Sequence, residues 1–283
     1  MYKIYILTLI TLCSSCAPKL GSKIISKQEP LPEYAEIVIL NESVNIIPEG
    51  IKVGEVSSTD NGFSVNCSYD EIIEPLKNIA LQNGANILKI TRLKNPDLMS
   101  TCVKIYADIY RVDNPQLYES EIIWSPYRKL TWDDFKGKPK DDEFKDFAAV
   151  SNCNIGFRSN RVTLLKSAKF YVENKFDCYN SWVKPEALGD DSLLKHEQGH
   201  FDIAEIFKRK LESKLTSEKV SLTKFEAFAQ KALDQIHEEL LKEQELYDLE
   251  TNYGLDKANQ EKWEAKIETT LRKNPRQLRV IAF

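Results

Sequence analysis

The chain has 283 residues, of which 42% are hydrophobic and 29% are charged, and its formal net charge is −4. This length and composition predict a folded protein of more than one domain and exclude a largely disordered chain. The acidic balance excludes the basic surface that nucleic-acid-binding proteins usually carry, so no nucleic-acid partner is expected.

Residues 1–16, MYKIYILTLITLCSSC, have the features of a bacterial signal peptide. Lys3 precedes an apolar run at 4–12 that is too short for a membrane-spanning helix, which needs about 20 residues. The ending LCSSC resembles a lipobox, which implies that Cys16 becomes the lipidated first residue of the mature protein. A plain cleaved secretory signal is the alternative. Ala17 follows Cys16, and an aspartate at this position would oppose an outer-membrane location. The resemblance to lipoproteins therefore predicts an outer-membrane lipoprotein that faces the periplasm.

Export affects how the other cysteines are interpreted, because disulfides form in oxidising compartments. Cys67 and Cys102 lie in the first half of the chain, and Cys153 and Cys178 lie in the second half. One local disulfide in each half, Cys67–Cys102 and Cys153–Cys178, is the simplest of the three possible pairings.

Residues 17–32 are predicted to form a polar tether, and residues 33–113 a small α+β module. The segments AEIVIL, IKVGEVS, FSVNCS, NILKITRL and VKIYADIYRV are β-rich, and a helix capped by Asp70 and closed by Gly84 follows the third of them. The phrase QNGANILKI is similar to a small fold found in envelope lipoproteins. This module has no histidine and no clustered acidic pair, so we interpret it as a spacer or an interaction module.

Residues 114–129 are predicted to be a linker, and residues 130–283 a second domain. Its segments NCNIGFRS, KSAKFYVEN and KFDCYNSWV have strand-like composition and predict an antiparallel sheet. Three helices follow, of which the first begins near Asp190 to Ser192, all reasonable N-caps, and the second at Thr223, with a capping box to Glu226. The predicted fold class of the whole chain is therefore α+β.

The first of these helices carries HEQGH, which contains two of the three histidines in the chain. His196 and His200 project from one helix face, where two neutral imidazoles can bind one Zn²⁺. Zinc lowers the pKa of a bound water to about 7, and Glu197 can accept the proton of that water and pass it to a leaving amine. A charged helix that matches HExxH by chance is the alternative. The scarcity of histidine and the helical register favour a zinc site.

A catalytic zinc usually has a third protein ligand. An ionised carboxylate on a core-facing stripe is costly unless it is paired or metal-bound, and on the second helix this criterion selects Glu239, Glu243 and Glu250. Glu250 precedes Tyr253 in YDLETNYG, and the ExxYG spacing is similar to the DxxYG segment of aspzincins. That similarity implies Glu250 as the third ligand and Tyr253 as the group that stabilises the oxyanion. Glu243 and Asp248 remain alternative ligands.

Three segments of the second domain, LTWDDFKGKP, LLKHEQGHFDIAE and YDLETNYG, carry a wider resemblance. Together they resemble the bacterial family known as domain of unknown function 922, which is regarded as a family of secreted zinc-dependent proteases. The resemblance covers residues 130–267. It implies a zincin-like metallopeptidase domain in which His196 and His200 bind the metal and Glu197 is catalytic. Relatives often have a histidine where this chain has Tyr253.

The sequence thus predicts an envelope-anchored zinc metallopeptidase that hydrolyses protein or peptide substrates and is attached to the membrane by an N-terminal lipid. The antiparallel strands before the helix would offer an edge to which an extended peptide can add as a strand. The alternative is a non-catalytic zinc-binding or interaction lipoprotein. The two differ at the metal, because a catalytic site keeps an open position whereas a fourth ligand closes a structural site.

Overall fold

In a computed structural model, the described residues are 18–60, 64, 67–97, 100, 102–139, 147–162, 167–218, 220–273 and 281–282. The predicted signal peptide and its lipidation site Cys16 lie outside the described residues. The chain is an α+β protein, as predicted, and it divides into two compact units, Met1–Asp113 and Asn114–Phe283. Within the part of the chain that the structure describes, no helix is both long and apolar enough to cross a membrane.

The first unit is a five-stranded sheet with one helix packed against it. Its elements are β1 (Lys19–Ile24), β2 (Val38–Leu40), β3 (Ile51–Thr59), α1 (Tyr69–Gln82), β4 (Ile87–Lys94) and β5 (Lys104–Arg111). The strand order is β1-β3-β5-β4-β2, and only the β2–β4 pair is parallel. The apolar stripe of α1, with Ile72, Leu76 and Ala80 fully buried, packs on the sheet and forms the core of the unit.

Two features of this unit differ from the prediction. Lys19–Ile24 was expected in the polar tether, but it forms β1 and pairs antiparallel with β3. The cap of α1 is Ser68 rather than Asp70, because the Ser68 hydroxyl accepts from the Glu71 backbone N–H while the Glu71 carboxylate accepts from the Ser68 N–H. This reciprocal capping box satisfies two backbone donors that the helix itself leaves unpaired.

The predicted disulfide of the first unit is confirmed. Cys67 and Cys102 are bonded, with their Cα atoms 5.0 Å apart, and both are buried in the core of the unit. The bond links the start of α1 to the segment that leads into β5. Of the predicted strand FSVNCS, Phe63, Val65 and Asn66 lie outside the described residues.

The second unit begins with an antiparallel sheet, as predicted. Its strands are β6 (Glu121–Ile123), β7 (Ala149–Val150), β8 (Cys153–Val162), β9 (Ser167–Asp177), β10 (Trp182–Val183) and β11 (Ile281–Ala282). Strand β9 pairs with β6, β8 and β11, whereas β7 and β10 form a separate two-stranded ladder. Residues 114–129, predicted as a linker, contribute β6 to this sheet and therefore belong to the second unit.

The predicted Cys153–Cys178 disulfide is wrong, because both cysteines are free. Cys153 begins β8 and Cys178 directly follows β9, and the register of the β8–β9 hairpin places Cys153 opposite Phe176 rather than opposite Cys178. Burial raises the pKa of the Cys153 thiol well above its usual range and raises that of Cys178 to about 12. Both thiols are therefore protonated at neutral pH and are poor nucleophiles.

Three helices complete the second unit: α2 (Asp191–Ser217), α3 (Leu222–Thr251) and α4 (Lys257–Lys273). Helix α2 is capped by Asp190, which lies within the predicted range 190–192, and the Asp190 carboxylate accepts from two backbone N–H groups of the first turn. Helix α3 begins after Ser221, so the predicted start at Thr223 with a capping box to Glu226 is wrong.

Helices α2 and α3 run antiparallel and pack along their length. Lys214 of α2 donates to Gln235 of α3 at 2.5 Å near one end, and Gln244 of α3 donates to the His200 carbonyl oxygen at 3.2 Å near the other. The apolar stripe of α3 is buried in the core beside α2, α4 and the sheet; it consists of Phe225, Ala229, Ala232, Ile236, Leu240 and Tyr247. This packing positions the site described next.

Candidate metal centre

Two histidines of α2 meet one aspartate of α3. The Nε2 atoms of His196 and His200 are 3.2 Å apart, and Asp248 Oδ1 lies 3.1 Å from the first and 3.0 Å from the second. The three side chains form a group that could hold a metal ion. Ligand atoms in a tetrahedral zinc site with bonds of about 2.0–2.1 Å lie about 3.3–3.4 Å apart, so the observed triangle suits a small cation.

Gly199 makes room for an aromatic ring between the two histidines. A Cβ atom at this position would clash with the hydroxyl of Tyr247 and lie 2.7 Å from its Cζ atom. The Tyr247 ring is fully buried and stacks on the His196 ring, with centroids 4.6 Å apart and planes 17° apart. It also meets the His200 ring edge-on, with centroids 5.0 Å apart. The glycine therefore admits a side chain that packs against both imidazoles.

A glutamine side chain faces the second nitrogen of each imidazole. Nδ1 of His196 lies 3.3 Å from Oε1 of Gln260, which comes from α4, and Nδ1 of His200 contacts Oε1 of Gln244. Sequence reasoning missed both glutamines. The spacing of four between Gln244 and Asp248 places these two residues on one face of α3, and this is the signal in the sequence that could have found Gln244.

The turn after α3 packs directly on His196. Asn252, Tyr253 and Gly254 all have left-handed backbone conformations, with φ values of 47°, 55° and 80°. A Cβ atom at Gly254 would lie 2.9 Å from the Cβ of His196, so only glycine allows this approach. The Tyr253 N–H donates to the Asp248 carbonyl at 2.8 Å, which ends the helix one turn beyond Asp248.

Glu197 is buried beside the cluster. Its side chain is 3% exposed, and its Oε2 has no hydrogen-bond partner among the described residues. A buried carboxylate oxygen without a partner is costly, so a group of this kind in a native structure indicates a functional role or an unseen partner. The sequence predicted a catalytic role for this residue, and its burial next to His196 is compatible with that role.

The residues of the cluster shift the pKa values of His200 and Asp248. Burial alone would lower the pKa of His200, but the hydrogen bond to Asp248 and the charges of Glu197 and Asp248 outweigh burial and raise it. Burial alone would raise the pKa of Asp248, but hydrogen bonds to the two histidines lower it to about 2. Asp248 is therefore ionised at neutral pH, and a proton and a metal ion compete for the same position.

The predicted third ligand, Glu250, is not part of the cluster, and Asp248 takes its place. Glu250 is exposed, and its Oε2 accepts from Nε1 of Trp263 at 2.8 Å. The alternative Glu243 pairs with Lys266 at 2.9 Å instead. Of the four carboxylates considered, Glu239, Glu243, Asp248 and Glu250, the structure thus brings only Asp248 to the histidine pair.

The physical reason is the direction of the α2–α3 contact. The prediction placed the ligand on the core-facing stripe of α3, where Leu240 and Tyr247 lie. The two histidines of α2 instead contact the flank of that stripe, which carries Gln244 and Asp248; Asp248 lies about 100° around the axis from Tyr247. Glu239, which was also predicted to lie on the core-facing stripe, pairs with Lys210 at the surface.

Tyr253, predicted to stabilise an oxyanion, lies in the turn that covers His196. Its side chain is 50% exposed, and its ring meets Phe147 edge-on, with centroids 5.5 Å apart. Its role in catalysis stays a prediction.

Two further polar residues of HEQGHFD, Gln198 and Asp202, bind neighbouring segments of the chain to α2 through hydrogen bonds. Gln198 Oε1 accepts from the Leu130 N–H at 2.8 Å, and Gln198 Nε2 donates to Asp202 Oδ1 at 2.8 Å. The same Asp202 oxygen accepts from Trp124 Nε1 at 2.6 Å. These residues therefore hold the chain before the LTWDDF segment against the helix that carries the histidines.

Comparison with known families gives a match to the segment that contains the cluster. Residues 180–254 match the model of a family described as a bacterial protein of unknown function, DUF922. Searches of curated proteins and of solved structures gave no match. The matched segment contains His196, His200 and Asp248. The part of this chain that carries the candidate metal centre is therefore similar to the bacterial DUF922 family.

Proposed function

We propose that the second unit is a zinc-dependent metallopeptidase that hydrolyses peptide bonds in protein or peptide substrates at the bacterial cell envelope. The observation that carries the proposal is the convergence of His196, His200 and Asp248 beside the buried, unpartnered carboxylate of Glu197. A structural metal site would explain the three converging side chains, but it would not explain why the Glu197 oxygen is buried without a hydrogen-bond partner among the described residues.

The donor set fits a catalytic zinc ion. Catalytic zinc sites commonly have three protein ligands, drawn from imidazole nitrogens and carboxylate oxygens, and keep the fourth position open. The group formed by His196, His200 and Asp248 supplies three such ligands, and no fourth histidine, cysteine or carboxylate joins it among the described residues. With two neutral imidazoles and one carboxylate, Zn²⁺ would keep a net charge of about +1.

The residues of the chain would divide the work of hydrolysis. Bound zinc would supply a Lewis acid that polarises the substrate carbonyl and lowers the pKa of a water molecule. Glu197 accepts the proton of the attacking water and returns it to the leaving amine, since its buried oxygen has no competing partner among the described side chains. Tyr247 and Gly254 hold the His196 ring in place from two sides.

A metal analysis and a hydrolysis assay test the proposal together. Zinc content and cleavage of a peptide library would be measured for the wild type, for Glu197→Gln and for the control Glu245→Gln, which changes an exposed carboxylate of α3. We expect Glu197→Gln to keep its zinc and to lose about 10²–10⁴-fold in kcat, while the control behaves as wild type. A wild type that binds no zinc, or a Glu197→Gln variant with full activity, would overturn the proposal.

The proposed envelope location has a separate test. A lipid on Cys16 would place the full-length protein in the membrane fraction and would make it incorporate labelled palmitate in bacterial cells. Cys16→Ser should abolish both signals. Equal labelling of the variant and the wild type would exclude this anchor.

A further inference from the structure

We propose that Gln244 and Gln260 are positioning residues that keep both histidines protonated at Nδ1, so that both Nε2 lone pairs are available to one metal ion. The inference rests on the proposed metal site and deepens it. It assigns a role to two residues that contact the ligands without being ligands themselves.

The orientation of the Gln260 amide follows from its partners. Its Nε2 lies 3.1 Å from Oε1 of Glu264 and 2.8 Å from the Tyr247 hydroxyl oxygen. A carboxylate oxygen accepts hydrogen bonds, so the nitrogen of the amide must face Glu264. The Tyr247 hydroxyl has two acceptors, the His196 carbonyl at 3.2 Å and Gln260 Oε1 at 3.1 Å, and with either of them its lone pair is free for the second Gln260 N–H. The amide oxygen is therefore turned toward Nδ1 of His196.

The orientation of the Gln244 amide follows from a backbone carbonyl. Its Nε2 donates to the carbonyl oxygen of His200 at 3.2 Å, and a carbonyl oxygen can only accept. The amide oxygen then faces Nδ1 of the same histidine. Each glutamine thus has its nitrogen held by an acceptor and its oxygen directed at an imidazole.

An amide oxygen accepts but does not donate, so each Nδ1 must carry the proton. A neutral imidazole with a proton on Nδ1 has its lone pair on Nε2. The two Nε2 atoms and Asp248 Oδ1 are the atoms that lie 3.0–3.2 Å from one another. Three lone pairs that face one another at this distance repel unless a cation lies among them.

The partners are amides, which has a further consequence for the metal. A carboxylate partner raises the basicity of a histidine ligand and adds negative charge near the site. Gln244 and Gln260 fix the tautomer without adding charge, so Asp248 is the one anionic member of the described ligand group. A bound metal ion would keep more of its positive charge, which suits a Lewis acid better than a structural centre.

The test compares metal affinities of purified variants. Affinities for Zn²⁺ and Co²⁺ would be measured by competition with a chromophoric chelator for the wild type, Gln244→Leu, Gln260→Leu and the control Gln235→Leu. Gln235 lies on the exposed side of α3, where it accepts from Lys214. We expect each of the first two variants to bind metal about 10–100-fold more weakly, as for other outer partners of ligands, and the control to be unchanged.

Exchange of the side chains at 260 and 264 distinguishes an effect on the histidine tautomer from a loss of packing. In Gln260→Glu combined with Glu264→Gln, the new carboxylate at 260 still accepts from Nδ1 of His196, and the new amide at 264 donates to that carboxylate. The double variant should recover an affinity near that of the wild type. Melting curves in chelator would show that each variant is folded without metal. In ¹⁵N-labelled zinc-loaded protein, the Nδ1–H of the affected histidine should exchange faster with solvent in each leucine variant.

The outcomes separate this inference from the proposed function. If the wild type binds zinc and both leucine variants bind it equally well, the positioning role is overturned and the metallopeptidase proposal stands. If affinities change as expected but the zinc-loaded wild type cleaves no peptide, the positioning role stands and the peptidase proposal fails. A wild type that binds neither Zn²⁺ nor Co²⁺ overturns both.

Discussion

Gln244 and His200 are joined by two hydrogen bonds across the contact between α2 and α3. The glutamine nitrogen donates to the histidine carbonyl at 3.2 Å, and the glutamine oxygen contacts Nδ1 of the same imidazole. The pairing holds the two helices in one register, and one turn further along α3 this register brings Asp248 to both histidines. The candidate metal centre is therefore a property of the helix pair, and α2 alone cannot form it.

The identity of the third ligand gives the first prediction. Asp248→Ala should reduce zinc affinity by more than about 10–100-fold, which is the loss expected for a residue that only contacts a ligand, because the substitution removes one of three proposed ligands. Glu250→Ala should keep wild-type affinity, since its carboxylate bonds to Trp263 instead. Isothermal titration with Zn²⁺ measures both. Strong binding by the Asp248 variant together with loss of binding by the Glu250 variant would restore the original prediction of Glu250.

Gly199→Ala should destabilise the protein and weaken metal binding together. The added methyl group clashes with Tyr247, and overpacking of this kind costs about 1–3 kcal/mol, whereas the gain in helix propensity from alanine is only roughly 1 kcal/mol. Urea denaturation and zinc titration measure the two effects.

Gly156→Ala is the matched control for that substitution. An added Cβ at Gly156 meets no atom within 4 Å, so stability should change by no more than about 0.5 kcal/mol. If Gly199→Ala is as neutral as this control, Tyr247 is not held in the position described.

The stability of the protein should depend on pH through His200. Its pKa is raised above the ordinary value of 6.5, so it contributes stability that is fully present below that value and is lost as pH rises through the folded pKa. Asp248, with a pKa of about 2, stays ionised between about pH 5.5 and 8.5 and adds no slope there. In chelator, this contribution of His200 should therefore lower the melting temperature as pH rises across that range.

Zinc competes with the proton of His200 for the same position. The increase in melting temperature that zinc causes should therefore grow with pH. Scanning calorimetry with and without zinc at about pH 5.5 and 8.5 measures this increase. The control is His237→Gln, which changes the remaining histidine, whose ring contacts the Ile155 carbonyl outside the ligand group. An increase that is identical at both pH values would contradict the assignment of His200 as a ligand.

The cysteines of the two units should differ in their chemistry. Alkylation of the unfolded protein without a reductant, followed by peptide mapping, should modify Cys153 and Cys178 and leave Cys67 linked to Cys102. In the folded protein the two free thiols should react slowly, because burial raises their pKa. A peptide that contains Cys153 linked to Cys178 would contradict the structure.

Removal of the disulfide should destabilise the first unit. The bond closes a sequence separation of 35 residues, and the loop-entropy model assigns about 3–4 kcal/mol to a loop of that size. Cys67→Ser combined with Cys102→Ser should show this loss in urea denaturation, whereas Cys153→Ser should leave the first unit unaffected.

Local patterns were sufficient for the elements that depend on local physics. The start of α2 follows from a capping aspartate, and the buried stripe of α3 follows from the spacing of its apolar residues. The Cys67–Cys102 bond was also predictable, since its partners flank one helix and one strand of the same unit. The same reasoning failed for Cys153 and Cys178, because the hairpin register that separates them is not visible in either strand alone.

By itself the sequence determined that His196, Glu197 and His200 share one helix, because helical periodicity relates residues on adjacent turns. Only the tertiary structure decided which carboxylate meets them. Asp248 lies 52 residues from His196 along the chain and Gln260 lies 64 residues away. Their positions depend on how α2, α3 and α4 are rotated and aligned against one another. The periodicity of a single helix shows which face is buried, but it does not specify which flank of that face meets a neighbouring helix.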